Sequence, residues 1–225
     1  MQHIGYIMDG NRTWAKERWL PSLEWHRRGY ENAKNIIRET KKLGIPFASF
    51  WALSDDNIKK RSSEEVGYLF RLLEKWILDL AKEANTDNIR IICIGNRELV
   101  PENCRKNMDK AEKMTESNTA MTAIIAIGYG WQEEIIRAVQ KLAKTGFEMS
   151  WVTVDDISSY IETSSFPPPD LIIRTGWHIR HSGFLLFHSP YAEYGFSQKN
   201  WPDFSVKDIE DFIDRYENRE RKFWK

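Results

Sequence analysis

The sequence predicts an α/β fold built on a parallel sheet, and three observations carry that reading. Short β-branched or aromatic runs alternate along the chain with longer stretches of helical periodicity. Strands separated by helices imply parallel pairing with the strands buried. The 225 residues, 41% of them hydrophobic, suit a single domain over 1–225, in which roughly 70% of the unfolded surface is buried without a disulfide or metal staple.

Taken in order, the first strand spans 4–8 and gives way to a helical pattern from Trp14. A helix at 29–43 precedes a strand at 47–53, and a helix at 63–84 precedes a strand at 89–94. In that longest helix Val66, Leu69, Phe70, Leu73, Trp76, Ile77 and Leu80 recur at spacings of three and four, which is the stripe of a core-facing helix. A helix at 101–116, a strand at 122–127 and a helix at 132–144 continue the rhythm. Pro167, Pro168 and Pro169 end any helix and force extended geometry, so a strand at 171–174 starts just after them. The tail, 206–225, is a charged helix ending in Arg219, Arg221, Lys222, Phe223 and Trp224.

Composition excludes several classes. With 33 Lys+Arg against 33 Asp+Glu the formal charge is +0 and no long basic run exists, so nothing supports a nucleic-acid partner. The longest apolar run, 120–129, falls short of the roughly 18 residues a spanning helix needs, so no transmembrane segment is expected. The first residues carry no basic segment or apolar core of a secretion signal. Cys93 and Cys104, without a CxxC pair or matching histidines, read as plain thiols of a reducing, cytoplasmic environment. Neither GxxxxGK[ST] nor GxGxxG occurs, nor GxSxG, HExxH or a kinase signature.

Two clusters carry chemistry. The first strand runs into Asp9, Gly10, Asn11, Arg12 and Thr13, where a strand tip, a glycine and a helix start make an anion site and Arg12 adds a cation. An aspartate beside a phosphate suggests Mg²⁺, which takes one or two carboxylates plus phosphate oxygens. Taken alone, Asp9 reads better as a helix cap and Asn11 as a turn residue. The second cluster follows the strand at 171–174: Arg174, Thr175, Gly176, Arg180, His181, Ser182 and Gly183 again describe a phosphate cradle. Ligands of parallel α/β sheets bind beyond the carboxyl ends of the strands, so the two clusters suit one crevice and two phosphorylated substrates.

Five ordered blocks now resemble a known family: Asp9 to Ala15 with His26 and Gly29; Ser54, Asp55, Asp56, Asn57; Arg174, Thr175, Gly176 with Arg180, Ser182, Phe184, Leu185 and Leu186; Tyr191, Ala192, Glu193; and Trp201, Pro202, Asp203, Phe204. Collinear along the chain, they resemble the cis-prenyltransferases, undecaprenyl diphosphate synthase among them. The resemblance implies a central six-stranded parallel sheet flanked by helices, an apolar substrate tunnel and a homodimer. It further implies Mg²⁺-dependent joining of an allylic diphosphate to isopentenyl diphosphate. Asp9 would hold Mg²⁺ and Glu193 would be the second carboxylate associated with it. Gly10, Asn11, Arg12, Thr13, Trp14 and His26 would line the allylic diphosphate site, with Ser54 and Arg61 beside it. Arg174, Arg180 and Ser182 would clamp the isopentenyl diphosphate. Asn57 matches a residue assigned to proton removal or positioning; an amide is a poor base, so it reads as an orienting group, with a diphosphate oxygen as proton acceptor.

The departures from the family pattern carry information. Thr13 stands where an Arg is usual, Asp56 where a Glu is usual and Ile58 where an aromatic is usual. Lys60 and Arg61 compete for one family Arg, and Arg61 brings Glu65 and Val66 into line. Trp177, His178 and Ile179 replace a segment that commonly reads Gly, Glu and a polar residue. Gly183 replaces an Asn, and Gly130, Trp131, Gln132 replace Gly-Gly-Arg. Trp51, Phe70 and Trp76 are the bulky candidates for the tunnel wall, and Trp76 stands where a small residue is usual, which implies a short-chain product. The alternative within the family is irregular head-to-middle coupling of two dimethylallyl diphosphates, of lavandulyl or cyclolavandulyl type. A catalytically silent partner subunit and a terpene cyclase stay as lesser readings.

Overall fold

A computed structural model describes residues 1–20 and 22–219. Six strands, β1 (His3–Ile7), β2 (Phe47–Ser54), β3 (Ile89–Ile94), β4 (Met121–Tyr129), β5 (Leu171–Arg174) and β6 (Glu193–Phe196), form one sheet in the order β3-β4-β2-β1-β5-β6, and every neighbouring pair is parallel. The helices are α1 (Asn11–Glu17), α2 (Ser22–Lys42), α3 (Asp55–Lys60), α4 (Ser63–Thr86), α5 (Glu102–Thr115), α6 (Trp131–Ala143), α7 (Val154–Tyr160) and α8 (Val206–Glu217).

Side chains of the central strands alternate between two apolar layers, so the strands are hydrophobic on both faces. Ile4 and Tyr6 of β1 and Ala123, Ile125 and Ile127 of β4 enter the larger core, shared with Ile36 and Ile37 of α2, Leu73 and Ile77 of α4 and Met108 of α5. Ile7, Ile124, Ala126 and Tyr129 enter a smaller core closed by Phe166, Phe184 and Leu185. The predicted stripe of α4 is buried from Leu69 onward, with Val66 half-buried at its edge. Cys93 and Cys104 are free thiols, both buried. Among the described residues no helix is long and apolar enough to cross a membrane.

Three elements went unread in the residues: α3, α7 and β6, the last supplying the sixth strand that the family resemblance implied. Helix α2 starts at Ser22, upstream of the predicted 29. Gly29 lies inside it, because a Cβ there would strike Asn11 Oδ1 and because its carbonyl accepts the Trp201 indole N–H at 2.8 Å. Helix α8 ends at Glu217, and of the basic and aromatic tail only Arg219 falls among the described residues; 221–224 lie outside them. From β1 the chain builds first toward β2 and later toward β5, so the direction of winding reverses between β1 and β5. A ligand crevice is expected beyond the carboxyl ends of that pair.

Candidate active site

Both anion clusters open into one cleft of about 640 Å³ at that reversal point. On the β1 side Gly10, at φ 93°, turns the chain into α1, and its amide donates to Asp9 Oδ1 at 2.8 Å. Only glycine fits there, since a left-handed φ strains other residues and a Cβ would meet Asn200. Gly176, at φ 84°, passes so close to Asp9 and Gly10 that a Cβ would lie 2.7 Å from the Gly10 nitrogen. Thr175 seals the junction by donating its hydroxyl to the Asp9 carbonyl at 2.7 Å.

Arg174 joins the two clusters. Its side chain is 6% exposed and Asp9's is 36% exposed, and Nη2 donates to Asp9 Oδ2 at 2.7 Å. Nη1 donates to the Arg180 carbonyl at 2.8 Å and to Ser182 Oγ at 2.7 Å. One planar guanidinium thus reaches the carboxylate of the first cluster and the hydroxyl of the second, a fork that an ammonium does not reproduce. Arg174 Nε, Asn11 Oδ1 and Asn200 Oδ1 are buried without a hydrogen-bond partner. Such unpaired atoms leave hydrogen-bonding capacity that a polar ligand or water can take up.

On the α4 side, Glu65 pairs with Arg12 and, at 3.1 Å, with Arg61. His26 sits against this pair, and burial, then the repulsion of Arg61 and Arg12, holds its ring down to about 3. Burial and Arg12 likewise lower Arg61. His26 is therefore a neutral imidazole between two cations, in a region whose missing charge is negative. Ser54 borders the cleft and caps α3, its hydroxyl oxygen accepting the Asn57 amide at 3.0 Å while its O–H stays available, and so fixes where Asn57 lies on the cleft wall. Thr13 also borders the cleft, whereas Trp14 is buried behind it and donates its indole N–H to Asp203 at 2.8 Å.

The aromatic candidates divide. Trp51 borders the cleft and stacks on Phe184 at 5.0 Å and 12°. Phe70 and Trp76 are buried in the core and do not border it. Trp76 stacks on Tyr30 at 4.9 Å, and Tyr30 is what the cleft meets. Glu193 is not brought to Asp9 within the chain: it starts β6 beside Leu171, at the amino end of the sheet, and pairs with Arg219. That places it about 10 Å along the strand from the Arg174 end.

Asp55 of the second block and the departures His178, Trp131 and Gln132 also line the cleft, whereas Asn200, which the sequence reading did not single out, packs beside it against Gly10. Asn200 precedes the Trp-Pro-Asp-Phe block and buries its amide against Gly10, and Asp55 abuts Gly130. His178, Trp131 and Gln132 border the second cluster's side. Among the described residues no three His, Cys, Asp or Glu side chains converge as a metal-binding group. Asp9 alone, partly exposed on the cleft wall, fits a Mg²⁺ that arrives with diphosphate oxygens and water rather than one caged by protein.

A reversal-point crevice with two anion clusters and an aromatic flank defines an α/β protein whose site suits phosphorylated ligands. A family model described as putative undecaprenyl diphosphate synthase matches residues 7–224. An isoprenyl transferase of Agrobacterium fabrum is 38% identical over 226 residues, covering 99% of this chain and 91% of that protein. The structure of lavandulyl diphosphate synthase from Lavandula x intermedia in complex with dimethylallyl diphosphate superposes with a TM-score of 0.92 at 34% identity, covering 98% of this chain and 97% of that one. That of a probable undecaprenyl diphosphate synthase from Campylobacter jejuni gives 0.82 at 25% identity, covering 99% and 97%. The chain belongs to the undecaprenyl diphosphate synthase-like prenyltransferase family and is a prenyltransferase.

Proposed function

We propose that this enzyme is a Mg²⁺-dependent prenyl diphosphate synthase that joins an allylic diphosphate to isopentenyl diphosphate and releases a short-chain product. The observation that carries the reading is Arg174, whose fork touches Asp9 on one side and Ser182 on the other. It favours two diphosphates lying side by side, which brings the two carbons to be joined into one cleft. The first diphosphate sits by Gly10, Asn11 and Arg12, the second by Arg174, Arg180 and Ser182.

Asp9 would hold Mg²⁺, which would supply neutralisation of the charge on a departing diphosphate. Arg12, released from Glu65, and neutral His26 bind the same group as its bond to the allylic carbon breaks and it takes the electron pair. The isopentenyl double bond then attacks that carbon, and a proton leaves to a diphosphate oxygen while Asn57 orients the reacting chain. Trp51, backed by Phe184, shields the cationic carbon from water. Short length follows from Tyr30 and Leu69, which line the cleft, with Trp76 filling the core behind Tyr30.

A second reading, irregular coupling of two dimethylallyl diphosphates, is favoured by the likeness to lavandulyl diphosphate synthase and by the aromatic residue, Trp131, beside the second cluster. Pairing with a second copy is part of the proposal, supported by half-buried Phe47, Ile92 and Tyr194 on the thinner side of the sheet; buried free thiols suit a cytoplasmic location. Purified enzyme with Mg²⁺ is incubated with dimethylallyl diphosphate alone and with isopentenyl diphosphate added, and dephosphorylated products are identified by mass spectrometry. Product that requires isopentenyl diphosphate supports elongation; product from dimethylallyl diphosphate alone replaces it with irregular coupling.

A further inference from the structure

Gly130 and Gly183 are far apart in sequence, yet together they fix one side chain in the cleft. Gly130 follows β4 as the extended cap residue of α6, and a Cβ on it would strike the Asp55 carboxylate. The next residue, Trp131, opens α6, and that helix is anchored by buried Glu134, which accepts the Tyr129 hydroxyl at 2.6 Å and the Thr163 amide at 3.2 Å. The Trp131 backbone therefore has no freedom to retreat. Its indole lies on the backbone of Gly183, where a Cβ would fall on Cδ1 and Nε1 of the ring. Gly183 follows Ser182, the hydroxyl that Arg174 holds at 2.7 Å.

An indole is thus wedged one residue from an anion-binding hydroxyl, and it borders the same cleft as Arg180 and Ser182. A bare diphosphate gains nothing from such a wall; a diphosphate that carries a hydrocarbon buries apolar surface against it. We propose that Trp131, seated on Gly183, is the specificity-determining residue of the second cluster, selecting a five-carbon diphosphate over an unsubstituted one. The inference rests on the reading of the enzyme as a prenyl diphosphate synthase and adds which residue senses the hydrocarbon of the second substrate.

Binding is measured by calorimetry with Mg²⁺, using inorganic pyrophosphate and the unreactive S-thiolodiphosphates of isopentenyl and dimethylallyl alcohol. In Trp131→Ala one bound equivalent of five-carbon ligand is expected to weaken about tenfold, with pyrophosphate unchanged, while Trp131→Phe keeps the preference. The isopentenyl or the dimethylallyl analogue, whichever loses more, is the second substrate. Asn tolerates the left-handed φ of 85° at position 183, and the nearest obstacle to its Cβ is the indole. Gly183→Asn is therefore expected to lose binding, and the double variant Trp131→Gly/Gly183→Asn to regain pyrophosphate without regaining the five-carbon preference. Equal weakening of all three ligands in Trp131→Ala, or wild-type preference in Gly183→Asn, overturns the inference. Failure of the parent reading shows differently: the wild type would form no prenylated product from the natural diphosphates while its preference for five-carbon ligands persisted.

Discussion

Replacing Trp76 tests how the cleft ends. The indole is 5% exposed, stacks on Tyr30 at 4.9 Å and donates to the Tyr30 carbonyl at 3.0 Å. Truncation of a buried Trp to Ala costs about 3–5 kcal/mol through lost transfer energy and the cavity left behind. For a chain of this size that is a fall in melting temperature of about 6–20 °C, at roughly 2–4 °C per kcal/mol. Because Tyr30 borders the cleft and Trp76 fills the space behind it, Tyr30 gains room to move back, and the hydrocarbon chain gains depth. Trp76→Ala is therefore expected to release products longer by one or more five-carbon units, separated by reversed-phase chromatography after dephosphorylation. Trp76→Leu, which costs less stability, gives the same shift in smaller measure. A variant that melts lower as expected and still releases product of wild-type length refutes the idea that Trp76 backs the end of the cleft.

Arg174→Ala leaves Asp9 and Ser182 without their shared donor and is expected to cost about 2–5 kcal/mol, or roughly 30- to 4,000-fold in KM for the second diphosphate, read by steady-state kinetics. Arg174→Lys, lacking the fork, should recover little of it; wild-type KM in either variant refutes the bridging role. Gly176→Ala places a methyl against the Asp9–Gly10 backbone at a φ of 84° and should abolish turnover with circular dichroism unchanged, so an active Ala variant would contradict the close approach. Burial holds His3 down to about 4, and burial with two arginines holds His26 down to about 3, both below the unfolded value of 6.5. The unfolded chain takes up those protons first, so stability is complete above about pH 6.5 and falls as pH drops from there toward 4. Urea midpoints at pH 7.5 and 5 should show the fall, and His26→Gln should lessen it; a flat profile counts against both assignments.

The strands were legible because each is a compact apolar run covered on both faces, and the first cluster because its residues are contiguous from Asp9 to Thr13. β6 was not, since only four residues form it and three of them are half-buried, with Gly195 demanded by the Phe212 ring rather than by strand propensity. Nor does local pattern mark the start of α2, where Gly29 reads as a boundary until Asn11 and Trp201 are seen packed on it. Asn200 meeting Gly10, Glu65 meeting Arg12 and Trp131 meeting Gly183 are all long-range contacts that no spacing rule encodes. Within one chain strand register sets Glu193 and Asp9 at opposite ends of the sheet, a separation that no motif spacing encodes.

The position of Arg174 also bears on how the two ligands sense one another. A single buried cation serves both halves of the cleft, so charge brought to one half alters the field that the other half experiences. Such sharing is a linkage: whatever free energy the first ligand gains or loses when the second is present, the second gains or loses by the same amount. Order of addition therefore leaves the sum of the two binding energies unchanged while changing which step is strong. Two diphosphates bound around one guanidinium form a coupled pair, and their affinities are properties of the pair.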